Sequence, residues 1–195
     1  MTTITARERL LEAAVEAFAE KGFTATTTRD IAFRAGMSPA AVYVHHESKE
    51  SLLFTVSVEG HQRAHDVLEA ASAHPSDDGQ VERLRHMVHE FSLWHAVNRR
   101  VGRIVQYEFD ALSTEHRAEI ADYRRRIERI MQDVLTEGVA DGSLAVDDIP
   151  GTARAILSLS IDLVRWFTPR GSHSAEEIAH LHADLAVRMT AARQD

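Results

Sequence analysis

Apolar residues recur at three- and four-residue spacing nearly from one end of this chain to the other, and no run alternates with period two. That pattern admits helices and excludes a sheet as the organising element. Leu11, Ala14, Val15 and Phe18 open it as an amphipathic stripe, which Gly22 should stop. Thr27 and Asp30 have capping-box spacing and start a second helix, which Gly36 ends. Ser38 caps a third helix with Pro39 in its first turn, where the missing N–H costs nothing, and Ser48 caps a fourth. Three short helices in about fifty residues bury too little surface to stand alone, so this segment must lean on something else.

The remainder reads as longer helices. The stretch His74-Pro75-Ser76-Asp77-Asp78-Gly79 is a break, followed by a stripe of Val81, Leu84, Val88, Phe91 and His95. Val101, Ile104, Val105, Glu108 and Leu112 form the next stripe. Ser113 caps a long helix marked by Ile120, Tyr123, Ile127, Ile130 and Val134, and Asp141-Gly142-Ser143 breaks the chain again. Asp147 or Asp148 starts a helix before Pro150, and Ser174 with Glu177 forms a second capping box ahead of Ile178, Leu181, Leu185 and Met189. From Ala153 to Phe167 the apolar residues cover nearly the whole circumference: Ala153, Ile156, Leu157, Val164 and Phe167 on one side, Leu159, Leu163 and Trp166 on the other. Such a helix must be covered on both sides. It either threads the core or faces a second subunit, and its place at the chain end beside the final helix favours the subunit.

Charge and composition narrow the function. The net charge is −8, but the first 54 residues hold six basic and seven acidic groups, so nearly all the excess acid lies in the C-terminal part. This argues against indiscriminate nucleic-acid binding and leaves a local contact face open. The absence of cysteine excludes disulfides, thiolate metal sites and cysteine nucleophiles, and a cytoplasmic protein is expected. Residues 1–10 show no secretory h-region. The strongest apolar run, Ala155 to Val164, is interrupted by Ser158, Ser160 and Asp162, so no membrane span is expected.

Residues 27 to 46 carry the sharpest signal. A helix of about eight residues, a turn holding Gly36 and a second helix make a helix-turn-helix pattern. Ile31, Ala32 and Val42 supply its internal contacts, small Ala35 permits a close crossing, and Gly36 supplies the left-handed turn. The chemistry of such a pair is specific, because the N-terminal end of the second helix must approach base edges in a major groove. Ser38, Pro39, Ala40 and Ala41 are short enough for that, Tyr43 and His45 have the reach for phosphate, and Lys49 lies at the start of the next helix.

These residues resemble the TetR family of bacterial repressors over about residues 7–54. The resemblance is carried by Ala17-Phe18, Gly22-Phe23, Thr28-Arg29-Asp30-Ile31-Ala32, Gly36-Met37-Ser38, Val42-Tyr43-Val44-His45 and Ser48-Lys49-Glu50-Ser51-Leu52-Leu53. It implies an all-α homodimer with a DNA-binding domain over 1–54, a ligand-binding and dimerisation domain over 55–195, and a four-helix interface from the last two helices of each subunit. Carried over residue by residue, it implies DNA contact at Thr28, Arg29, Ser38, Pro39, Ala40, Ala41, Tyr43, Val44, His45 and Lys49. His46 and Glu47 depart from the family pattern, which has an aromatic and a proline there.

Further along, Gln106-Tyr107-Glu108-Phe109, Leu112-Ser113, Glu115-His116-Arg117 and Glu119-Ile120, with Arg165-Trp166-Phe167, are similar to actinobacterial members that answer to fatty-acyl or steroid-acyl-CoA thioesters. The effector residues this suggests are Phe91, Trp94, Tyr107, Glu108, Arg165 and Trp166. Glu108 lies on an apolar stripe and should face a partner or a ligand; Arg165 needs an anion, with Asp162 three residues back. Arg124, Arg125, Arg126 and Arg129 read as a solvated face balanced by Asp122, Glu128 and Asp133 more readily than as a CoA phosphate site.

His61 and His65, with Asp66 and Glu69 nearby, and His86 with His89, have spacings that metals use, yet the zinc-protease glutamate is missing and no metal or cofactor is assigned. The motifs Gly-x-Gly-x-x-Gly, Gly-Lys-Ser/Thr and Gly-x-Ser-x-Gly are absent. The sequence therefore reads as a non-enzyme: a repressor that binds a palindromic double-stranded operator as a dimer and is released by a small hydrophobic effector. The competing reading is a helical metal-binding or acyl-transfer enzyme whose N-terminal region dimerises.

Overall fold

The computed structural model describes residues 5–73 and 79–191, which are helical without a strand among them. Most of the break expected at 74–79 lies outside the described residues. The helices are α1 (Ala6–Ala25), α2 (Thr28–Arg34), α3 (Pro39–His45), α4 (Lys49–Ser72), α5 (Gly79–Val97), α6 (Arg99–Tyr107), a 3-10 turn (Phe109–Ala111), α7 (Thr114–Ala140), α8 (Ile149–Ile161), α9 (Leu163–Trp166) and α10 (Ala175–Thr190). They form two compact units, one of residues 1–61 with 100–121, the other of residues 62–99 with 122–195.

The first unit shows what the short N-terminal helices lean on. Leu10, Ala14, Ala17 and Phe18 of α1, Ile31 and Ala32 of α2, Val42 of α3 and Leu52, Leu53 and Val56 of α4 share a core with Ile104, Leu112 and Ile120. Residues from twice as far along the chain thus complete the apolar interior that the first fifty could not fill. Gly60 makes that possible, since a Cβ there would sit 3.0 Å from Val101 Cγ1 and 3.1 Å from Val105 Cγ2. Polar ties reinforce the same junction. Glu50 accepts the Ser113 N–H at 2.9 Å and the His116 Nδ1–H at 2.7 Å, and the His116 ring stacks on Phe54 with centroids 3.6 Å apart.

The caps follow the sequence closely. Thr5 with Glu8, Thr27 with Asp30 and Ser174 with Glu177 are reciprocal capping boxes, and Asp148 caps α8 with Pro150 in its first turn. Ser48 Oγ accepts the Ser51 N–H at 3.0 Å and Ser113 Oγ the His116 N–H at 3.1 Å. Gly22 interrupts α1 with φ 77°, so the helix proper ends there and a turn carries the chain to Ala25.

In the second unit, Leu68 of α4, Leu84, Met87, Val88 and Phe91 of α5, Met131, Val134 and Leu135 of α7, Ala153 and Ile156 of α8 and Ala183 and Ala186 of α10 form one core. The helix expected to run unbroken through 153–167 is instead two. Asp162 separates α8 from α9, and the Arg165 N–H bonds the Asp162 carbonyl at 3.0 Å in a tightened turn. Its second apolar side is only partly covered within one chain: Leu159 is half-buried and Trp166 is 48% exposed.

Candidate nucleic-acid interface

The pair α2–α3 is held by very few side chains. Ile31 and Ala32 are the buried residues of α2, and Val42 alone is buried on α3. Between them Gly36 takes φ 65°, and the Met37 N–H reaches back to the Ala32 carbonyl at 2.9 Å, closing the helix end. The rest of α3 therefore faces outward. Ser38, Pro39, Ala40, Tyr43, Val44 and His45 are exposed and Ala41 is half-buried. A stable helix with one buried anchor and short side chains at its leading end is the shape a major groove accepts.

The polar groups of this surface divide into committed and available. Ser38 Oγ accepts the Ala41 N–H at 3.3 Å, so the residue is a cap, and its hydroxyl proton remains free to donate. Asp30 is committed: the Thr27 hydroxyl and N–H and the Lys21 ammonium hold its carboxyl down to about 2. Arg34 is also committed, paired with Glu20 and, at 3.9 Å, with Glu16. Arg29 is exposed and forms no ion pair among the described residues. Thr28 Oγ1 and Tyr43 OH lie 3.3 Å apart, which brings two hydroxyls from different helices to one spot. Thr28 and Tyr43 thus meet on one surface of the first unit.

Lys49 departs from expectation. Its ammonium donates to the Phe23 carbonyl at 2.6 Å and the Thr26 carbonyl at 2.7 Å, and lies 4.1 Å from the Phe23 ring centroid. The half-buried ammonium of this expected phosphate ligand is thus engaged by carbonyls at the end of α1, of which that of Phe23 also accepts the Thr26 N–H at 3.2 Å. The signal for this was present in the break itself, but the pairing spans more than twenty residues. His46 is internal: it is buried, its N–H caps α3 on the Val42 carbonyl at 2.8 Å, and its Nε2 has no hydrogen-bond partner among the described residues. Burial, and then the charges of Arg7 and His45, push its imidazole below the ordinary value. Phe33, which the sequence reading passed over, is 86% exposed beside this surface at the end of α2.

The expected effector residues are divided between the two units. Glu108 and Tyr107 belong to the first unit, where Glu108 Oε1 accepts the Phe23 N–H at 3.0 Å and Tyr107 is 56% exposed beside Arg103. Glu108 therefore faces a partner, and the partner is backbone. Arg165 binds Asp162 through two contacts of 2.8 and 2.7 Å, as expected, but on an exposed surface rather than in an interior. Trp166 is exposed; Phe91 is buried against His95, and Trp94 is half-buried with an edge-on contact to the same ring. The arginine run follows the solvated reading at Arg125 and Arg126, which pair with Asp122. Sequence reasoning missed a buried polar trio in the second unit: Ser92 Oγ lies 2.8 Å from Ser160 Oγ and 3.4 Å from His182 Nδ1, with His182 pushed below its ordinary value by burial.

No described helix is long and apolar enough to cross a membrane. Residues 10–56 match the family described as bacterial regulatory proteins, tetR family, and residues 77–190 match the tetracyclin repressor-like C-terminal domain. The HTH-type transcriptional repressor KstR2 of Mycolicibacterium smegmatis is 32% identical over 189 residues, covering 93% of this chain and 88% of that protein. A bacterial regulatory protein in the tetR family from Rhodococcus RHA1 has a crystal structure that superposes with a TM-score of 0.91 at 41% identity, over 98% of this chain and all of that one. The ketosteroid transcriptional regulator KstR2 of Mycobacterium tuberculosis superposes with a TM-score of 0.86 at 25% identity, over 98% of each chain.

Proposed function

This chain belongs to the TetR family of bacterial regulatory proteins, and from that premise we propose that it is a cytoplasmic, non-enzymatic repressor whose α3 reads an operator and whose second unit takes the effector. The observation that carries the reading is the surface of α3, where one buried residue anchors a helix otherwise free to meet DNA. Ser38, Pro39, Ala40, Ala41 and Val44 enter the groove, and Thr28, Arg29, Tyr43 and His45 hold flanking phosphates. Lys49 acts from inside as a positioning residue. Glu47, exposed beside α3, tempers the attraction without abolishing it.

A dimer presents two such helices to half-sites about one helical turn apart or a multiple of it. Exposed Trp166, Leu181 and Met189 on α9 and α10 support pairing through the end of the chain. The division of labour is a DNA-binding domain over 1–54, completed structurally by 100–121, and a ligand-binding and dimerisation domain over the rest. For the effector we propose an acyl-CoA thioester, fatty or steroid-derived. Its acyl part fits the apolar environment of Phe91 and Trp94, and the buried hydroxyls of Ser92 and Ser160 offer polar contacts. The effector releases DNA only to the extent that it prefers the form whose α3 spacing is wrong. The lever is α4, which starts beside α3 and ends in the second unit.

A gel-shift titration against the DNA upstream of the protein's own gene tests the core claim. Retardation at low salt that weakens steeply as salt rises is the expected result. No retardation at any ionic strength removes the DNA reading. Steroid- and fatty-acyl-CoA thioesters added to the complex should release it; release by another compound class alone removes the effector assignment.

A further inference from the structure

We infer that His89, Glu176 and His180 form a binding site for a divalent transition metal of the zinc class, joining the middle of α5 to the first turns of α10. The three donor atoms lie within 4.8 Å of one another. His89 Nε2 is 3.2 Å from Glu176 Oε1, His180 Nε2 is 3.9 Å from the same oxygen, and the two imidazole rings are 4.5 Å apart between centroids. Ligand bonds of about 2.0–2.2 Å at tetrahedral angles need donors separated by about 3.4 Å, so one ion can reach all three with small rotamer adjustments.

The state of His89 is the second observation. Its Nδ1 lies 3.0 Å from Glu90 Oε1, which can accept a proton carried there, and in the neutral tautomer that makes this bond the Nε2 lone pair faces the trio. That Nε2 is buried and has no hydrogen-bond partner among the described residues, although the Glu176 carboxylate is beside it. In that tautomer the imidazole and the carboxylate both offer lone pairs, and a cation between them is what lets both be satisfied. Carboxylate, imidazole and metal in series are the usual support for a ligating histidine. Two imidazoles and one carboxylate select zinc, nickel, cobalt or copper over magnesium and calcium, and leave a further coordination position for water or an anion.

His86, three residues before His89 in the sequence, is not part of this cluster; the partners come from a helix almost ninety residues later. Because α5 and α10 pack along their length in the second unit, a bound ion clamps two helices of one core. The site stands whether or not the chain binds DNA.

The test uses tag-free, chelator-treated full-length protein, titrated with ZnCl2 and with CoCl2. Saturating zinc should bind in a single equivalent and raise the melting temperature by about 5–10 °C at a hundredfold excess over Kd. Cobalt should give the visible absorption of a four-coordinate site. His180→Ala changes an exposed side chain, so it should fold normally and lose both responses. Glu90→Ala should keep the site but weaken binding about 10–100-fold. His65→Ala, in the separate His65-Asp66-Glu69 cluster, should change nothing. If zinc leaves the melting temperature unmoved, or if His180→Ala responds like the unaltered chain, the trio is an ion-paired cluster only and the assignment fails.

Discussion

Helices α3 and α5 are built on opposite principles. Of the seven residues of α3 one is buried, and caps and a glycine turn decide where the helix begins and ends. Of the nineteen residues of α5 seven are buried: Leu84, Met87, Val88, Phe91, Ser92, His95 and Ala96. The first helix owes its existence to local chemistry and keeps its surface for outside contacts. The second owes its existence to packing and commits its buried face to the core. A change on α3 should therefore alter DNA binding without altering stability, and a change at a buried position of α5 should lower stability first.

The most severe challenge to this contrast is Phe91→Ala. Removing a fully buried aromatic should destabilise the protein by about 3–5 kcal/mol, read as a fall in the urea midpoint. A loss below about 1 kcal/mol would mean that α5 is not a core element. On α3, Tyr43→Phe removes one hydroxyl from an exposed ring. Operator affinity should fall about tenfold, the size of one hydrogen bond to a charged phosphate, with the melting temperature unchanged. Affinity equal to that of the unaltered chain would take Tyr43 out of the contact set.

His46 sits where the two principles meet, at the end of α3 and inside the core. His46→Phe should stabilise by about 1 kcal/mol, because it removes a buried nitrogen without a partner. It should also flatten the acid side of the stability profile. The buried imidazole holds fewer protons than the unfolded one, so stability is full above the ordinary histidine value and declines as pH falls through and below it. Melting curves at pH 7.5 and 5.5 measure this, and an unchanged pH difference in the variant would assign the effect elsewhere, His182 first. The smallest effect is expected from Arg29→Ala: a salt slope shallower by about one unit with little change in stability.

Legibility divides along the same line. Thr27, Asp30, Gly36, Ser38 and Pro39 could be read directly, since each acts within four residues of itself. The anchoring of Lys49 on Phe23 and Thr26, and of Glu108 on the Phe23 N–H, could not, since those partners are 23 to 85 residues away. Glu108 stands out as an acid on an apolar stripe, but a stripe cannot say whether a ligand or a backbone amide answers it. The break at Asp162 is hard to read because apolar residues keep helical spacing on both sides of it, and a single polar residue within such a run does not by itself end a helix. His89 was paired by spacing with His86, while the fold brings it to Glu176 and His180.

The grip of Lys49 on the end of α1 has a mechanical consequence. An ammonium shared between two carbonyls and an aromatic face makes the first turn of α4 and the last turn of α1 a single stiff piece. Arg34 fastens α2 to α1 through Glu20 in the same way. In the mechanism proposed above, a small tilt of α4 would be passed to the whole N-terminal assembly as a rotation, and α3 would leave its operator without any contact on its own surface being broken.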